Sequence, residues 1–154
     1  MKLDIDGDEM IAAPIEVVWG LLNDPDALTA CIPGCKSMTL IAPDAYKLAM
    51  QLKVASVSGS FDGEISLSEK TAPSACRIGL AGGGTLGHAK GEAGFALSVA
   101  EPATTRLTYQ GTGEIGGLVA SVGQRILKGV AKHLIGQFFK EFRKLAAAKG
   151  TISA

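Results

Sequence analysis

The sequence predicts an α+β fold: a curved antiparallel sheet of about seven strands wrapped around one long C-terminal helix, with two short helices after the first strand. Three observations carry this expectation. Apolar and polar residues alternate through most of the stretch from Cys35 to Ile115. The segment from Gly116 onward switches to spacings of three and four. A short helical pattern bounded by prolines interrupts the strands near the start.

Taken in order, "KLDIDGDEMI" reads as the first strand, ending before Ala13-Pro14. Pro14 suits the first turn of a helix, and in "PIEVVWGLLND" Val17, Val18, Leu21 and Leu22 form an apolar stripe. Asn23-Asp24-Pro25 closes that helix, "PDALTACI" supplies a second short one, and Pro33-Gly34 turns the chain. In the strand region Tyr46, Leu48, Met50, Leu52 and Val54 share one parity against Lys47, Gln51 and Lys53. Phe61, Ile65 and Leu67 oppose Asp62, Glu64, Ser66 and Ser68. Ala93, Phe95, Leu97 and Val99 oppose His88, Lys90 and Glu92, and Leu107, Tyr109 and Ile115 oppose Arg106, Gln110 and Glu114. One face of the sheet is therefore wet and the other apolar. In the last segment Val119, Val122, Ile126, Val130, Leu134 and Phe138 step by three or four, and Leu127, Phe142 and Leu145 widen the stripe. A helix of about 30 residues is about 45 Å long, enough to cross the whole sheet. Arg125, Lys132 and Arg143 fall on its far side.

Composition narrows the function classes. At 154 residues with 47% hydrophobic content, the chain can bury a core without staples, which excludes a disordered tail. Residues 1–150 read as one domain and 151–154 as a frayed tail. Balanced charge gives no case for nucleic-acid binding. The acid-rich start is no signal peptide, and no apolar run approaches the ~20 residues of a membrane span. The expected location is cytoplasmic. Charge is nonetheless segregated: from Leu118 to Gly150 seven basic residues stand against one acid, Glu141, so this segment is near +6 and the remainder near −6. A basic end on an acidic body can favour an anionic membrane surface or an acidic partner.

The 20 glycines are many for such a chain, and their parity is informative. Gly59 and Gly63 share the parity of Phe61; Gly87 and Gly91 that of Phe95; Gly111 and Gly113 that of Tyr109. The inner face is thus expected to be large at one end and small at the other. Interior strand glycine weakens a sheet, so it marks bends, bulges or close approach of something else. Curvature accounts for some of it; space left for a ligand accounts for the rest.

No motif yields a catalytic or metal-binding assignment. "CIPGC" places Cys31 and Cys35 around a Pro-Gly turn, but zinc needs two further ligands at suitable spacing and a redox pair wants two intervening residues, not three. A structural corner is the expected role, and replacing both cysteines by serine is expected to leave the fold nearly intact. "GGGTLG", Gly82–Gly87, spells a dinucleotide fingerprint, yet an alternating strand follows where a helix is required, so it reads as a hairpin corner. His88 and His133 lack an adjacent carboxylate. Asp62 and Glu64 share the wet face, where nothing separates their pKa values.

The stretch "IAAPIEVVWGLLNDPDALTACIPGC" resembles the opening of the carbon monoxide dehydrogenase G-subunit family, within the START-like (helix-grip, polyketide cyclase-like) superfamily. The matching residues are Ala13-Pro14, Val18-Trp19, Asn23–Pro25 and Cys31–Cys35, with Gly59, Phe61, Gly63, Gly116, Gly117, Ala120, Gly123 and Arg125 later in the chain. The resemblance extends through Leu145. It implies a helix-grip domain with an apolar cavity between sheet and helix, and association with a molybdenum-containing carbon monoxide dehydrogenase or related hydroxylase. It also implies carriage of a quinone-type or other lipid-like molecule at the inner membrane face. The basic face of the final helix is the candidate peripheral membrane contact.

On this reading the protein is an accessory binding protein rather than a catalyst. Its cavity is expected to be lined by Trp19, Leu22, Ile32, Met50, Phe61, Phe95, Tyr109, Val122, Ile126 and Val130, with the "CIPGC" corner as a lid at the mouth. Two rivals remain open: a START-like enzyme of cyclase or hydrolase type, which needs a buried acid or base such as Arg77, Glu92 or His88 turned inward, and a ligand-free protein-binding adaptor.

Overall fold

The computed structural model describes the backbone of residues 1–54, 57–85 and 87–152, and the side chains of 1–53, 58–85 and 87–149. Alternation near the start produces β1 (Lys2–Ile11). Pro14 then opens α1 (Ile15–Leu22), and Asp24 caps α2 (Pro25–Cys31) by accepting from the Asp26 amide at 3.0 Å. Six strands follow: β2 (Cys35–Ala42), β3 (Ala45–Val54), β4 (Val57–Thr71), β5 (Ala75–Gly84), β6 (Gly87–Glu101) and β7 (Thr104–Gly116). A single 3-10 turn (Leu118–Val122) leads into α3 (Gln124–Ile152).

The seven strands form one open antiparallel sheet in the order β1-β7-β6-β5-β4-β3-β2. Each strand from β2 onward pairs with its successor, and β1 closes onto β7, so that α1 and α2 are carried to the same face as α3. The expected fold is the observed one; Gly82–Gly84 end β5 and Gly87 opens β6, so a strand and not a helix follows "GGGTLG", whose Leu86 lies outside the described residues.

One face of the sheet is buried and the other wet. Tyr46, Leu48, Leu67, Phe95, Leu97 and Leu107 point inward, while Lys47, Asp62, Glu64, His88, Lys90 and Glu92 lie on the other face. The inward reading of Val54 lies outside the described side chains. Val99 is 62% exposed, because β6 continues beyond the layer that could cover it.

α3 is fastened to the open edge of β1 at both ends. Gln124 Nε2 donates to the Lys2 carbonyl at 2.6 Å, and Arg143 Nε donates to the Met10 carbonyl at 3.3 Å while its guanidinium pairs with Glu9. These contacts satisfy carbonyls that an edge strand leaves open. The spacing puts Arg143 on the far side of the helix; in the structure it lies instead at the seam with β1.

The helix phase also differs from expectation. Gly123, at φ +94°, ends the 3-10 turn and resets the helical frame, so Val119 and Val122 lie outside α3. In α3 itself Leu127 is buried and Ile126 is 51% exposed. At its far end α3 continues to Ile152, so the backbone of 151–152, read as tail, is helical; 153–154 lie outside the described residues.

Candidate functional site: an apolar cavity between two packed clusters

The inner layer is divided. Toward the C-terminal half of α3, Phe139, Phe142 and Ala146 pack with Ile11, Val18, Leu21, Leu97 and Leu107 into a closed core. Its aromatic rings interlock: Phe138 meets Phe139 edge-on at 5.1 Å, and Tyr109 stacks on Phe139 at 5.7 Å. Toward the start of α3 there is a smaller cluster, Leu3 and Leu127, with Leu52, Ile115, Val119, Val122 and Val130 against it.

Between the two lies a cavity of about 310 Å³. Its sheet side is built from Leu3 and Ile5 of β1, Gly111, Gly113 and Ile115 of β7, Ala89, Gly91 and Ala93 of β6, and Ile78 and Leu80 of β5. Ala131 of α3 faces it from the helix side. Lys90, Glu92, Thr112 and Glu114 border it only by main chain, since their side chains alternate to the exposed face. The lining is thus apolar throughout. Leu80 points inward yet is 37% exposed, so the cavity opens to solvent on the β5 side.

The glycines separate into two kinds. At Gly91 a Cβ would stand 2.8 Å from the Thr112 carbonyl oxygen, so strand approach demands glycine there. At Gly113 a Cβ would meet only ordinary contacts, at 3.5 Å from the Lys90 carbonyl and 4.0 Å from Gly91 Cα. Sheet geometry does not require glycine at 113; a side chain there would project into the cavity.

The expected lining residues surround this space rather than line it. Phe95 and Tyr109 form the wall toward the aromatic core, with Trp19 tilted against Phe95 at 6.1 Å. Leu22 is within that core. Val122 and Val130 belong to the smaller cluster on the other side. Met50 and Phe61 face inward on β3 and β4, past the open side at Leu80. Ile32 lies in the corner and Ile126 on the exposed side of α3. The residues that do line the cavity are the small ones, and inward parity of glycine and alanine is the signal that points to them.

The corner itself is structural. Gly34 sits at φ +76° against the Gln51 carbonyl, and its own carbonyl accepts from the Gln51 amide at 2.9 Å, fixing α2 to β3. Residues 29–35 line a separate polar depression of about 420 Å³ shared with Gln137, Lys140 and Glu141, not the apolar cavity, so the corner is not its lid. Burial pushes the Cys31 thiol up, with Glu141 adding to it; burial likewise raises Cys35 and Cys76. None is an activated thiolate. Cys31 is 2% exposed, so serine there would bury a hydroxyl, which revises the expected tolerance at that position.

Among the described residues no acid–base pair faces the cavity. Arg77 joins Glu69 at 3.2 Å and Glu92 at 3.4 Å on the wet face, and His88 lies there over Gly116. Glu9 has inward parity but is held by Arg143 at the helix seam. Among the described residues no three histidine, cysteine or carboxylate side chains are placed to hold a metal ion.

The family model of the carbon monoxide dehydrogenase G subunit (CoxG) matches residues 7–147. The chain belongs to the CoxG family. A solved structure of a conserved protein from Geobacillus kaustophilus is similar at 38% identity and a TM-score of 0.92, covering 95% of this chain and 96% of that one. A START superfamily protein from Mycobacterium smegmatis shares the fold at 16% identity and a TM-score of 0.73, over 94% of this chain and 97% of that one. The Zhui aromatase/cyclase from a Streptomyces species does so at 15% identity and a TM-score of 0.66, over 97% and 99%. No curated protein matches the chain. This CoxG-family chain therefore has the START-like fold, and its cavity occupies the space between sheet and C-terminal helix.

Proposed function

We propose that this CoxG-family protein is a non-catalytic carrier that holds an apolar small molecule, of quinone or isoprenoid type, in the cavity beneath α3. The observation that carries this reading is the cavity's uninterrupted apolar lining, with Gly113 leaving space that the sheet does not require. At about 310 Å³ it is at the lower end of small-molecule sites, typically about 300–1,000 Å³. It suits a short isoprenoid segment, with the remainder of a longer molecule leaving past Leu80. A bound quinone would supply two-electron acceptor chemistry; the protein's own residues enclose it and exclude water.

Family membership supports service to a molybdenum-containing carbon monoxide dehydrogenase-type enzyme as partner. The cyclase reading is less supported, because Arg77, Glu92 and His88 all face away from the cavity. Among the described residues no helix is long and apolar enough to cross a membrane. The basic face of α3, including Arg125, Lys132 and Lys140, fits a peripheral contact with anionic lipid at the cytoplasmic side.

The test is native mass spectrometry of protein purified from a quinone-containing host, beside mass spectrometry of its organic-solvent extract. One equivalent of a quinone or isoprenoid is expected. Protein that is empty and refuses every added quinone analogue would overturn the carrier.

A further inference from the structure

Inward-facing apolar side chains that belong to neither packed cluster include Ile5, Leu48, Met50, Phe61 and Leu80, of which Leu48 is fully buried. Ile5 and Leu80 line the cavity. Phe61 has a different setting. Its ring lies across two glycines on adjacent strands: a Cβ at Gly63 would stand 2.8 Å from Phe61 Cε1, and one at Gly82 would stand 2.9 Å from Cζ. Gly63 and Gly82 are register partners between β4 and β5, and Gly82 is paired in turn with Ala89, which lines the cavity. The ring is thus seated beside the cavity, along its open side, over Gly63, where it is the nearest neighbour of a Cβ, and over Gly82, where the Asp62 carbonyl already demands glycine. It stacks on none of the other aromatic rings among the described residues, which are gathered at the opposite end of the layer.

An aromatic side chain held in place but left outside the core is a poor use of its apolar surface unless something else covers it. We propose that Phe61, pinned by Gly63 and Gly82, is a specificity-determining contact that recognises a planar conjugated ring of the bound molecule, while the aliphatic remainder occupies the glycine-lined cavity. Rings gain more from an aromatic neighbour than saturated chains do, because offset-stacked and edge-to-face arrangements add to simple burial. Phe61 therefore selects ring-bearing ligands over saturated lipids of similar apolar area. This rests on the carrier reading and adds to it which end of the ligand is read, and by which residue.

The experiment is calorimetric titration of the full chain with two probes, 2-methyl-1,4-naphthoquinone and 1-decanol. The variants are Phe61→Leu, Phe61→Trp, Gly63→Ala and Phe61→Leu/Gly63→Ala, each checked for fold by circular dichroism. Phe61→Leu should weaken the naphthoquinone about three- to tenfold and leave decanol within about twofold, whereas Phe61→Trp should keep the naphthoquinone. Gly63→Ala, which pushes the ring from its seat, should weaken the naphthoquinone alone and lose that effect when Phe61 is already leucine. Equal weakening of both probes, or of neither, would overturn the assignment to Phe61 while leaving the carrier standing. If wild-type protein bound neither probe, the carrier reading would fall and this proposal with it.

Discussion

The two ends of the inner layer are built on the same strands and under the same helix, yet they are filled in opposite ways. Under the C-terminal half of α3, β7 offers Leu107 and Tyr109 and the helix answers with Phe138, Phe139 and Phe142, closing a core in which Phe142, Ile11 and Val18 are fully buried. A few residues along the same strand, Gly111 and Gly113 face Ala131 across a hollow. Close packing and open space are thereby kept apart within one layer. One half of the grip holds the helix down, and the other can stay open because the first half has already fixed it.

Phe142 is where this division can be challenged with the largest effect. Phe142→Ala should cost about 3–5 kcal/mol of unfolding free energy in urea, since nothing can collapse into the space of a ring with 0% exposure. A loss under about 1 kcal/mol would mean that the aromatic end does not carry the fold.

The Cys31–Cys35 corner comes next. Cys31→Ser should cost about 1–3 kcal/mol by burying a hydroxyl at a 2% exposed position. The same change at half-buried Cys35 should stay within about 0.5 kcal/mol. Equal effects at both positions would show that the motif acts as a pair, not as a core residue beside a turn.

A smaller effect comes with pH. The thiols of Cys31, Cys35 and Cys76 and the phenol of Tyr109 are all raised in the folded state, chiefly by burial. Unfolded thiols ionise first, at about pH 8.5. Stability is therefore whole below that value and declines as pH rises through the folded-state pKa values. The urea midpoint should be level between about pH 6 and 8 and lower at about pH 10, with a shallower decline in Cys31→Ala. A midpoint that rises toward pH 10 would contradict this sign.

Much of this arrangement is legible in the sequence. Strict alternation in β3, β4 and β7 gives the two faces, Pro14 and Asp24-Pro25 place the short helices, and the parity of Gly91, Gly111 and Gly113 locates the small end. The family resemblance agrees with the chain's membership. Three things are not legible. Counting the phase of α3 through Gly123, whose positive φ resets the frame, puts Ile126 inward where Leu127 is. Large apolar residues are the natural candidates for a lining, but those fill space; a cavity is lined where side chains stop short. Glu9 is readable from its parity with Leu3 and Ile5, and its pairing with Arg143 becomes visible only once α3 is laid along β1.

The decisive position is Gly113, where a side chain has room and the sheet asks for none. Gly113→Leu should raise the unfolding free energy by about 1–2 kcal/mol by filling the hollow with buried apolar surface. The same variant should abolish calorimetric binding of 1-decanol, whose saturated chain occupies the same hollow. A destabilised variant that still binds as wild type does would contradict the account, since the glycine would then serve the sheet and the ligand would sit elsewhere.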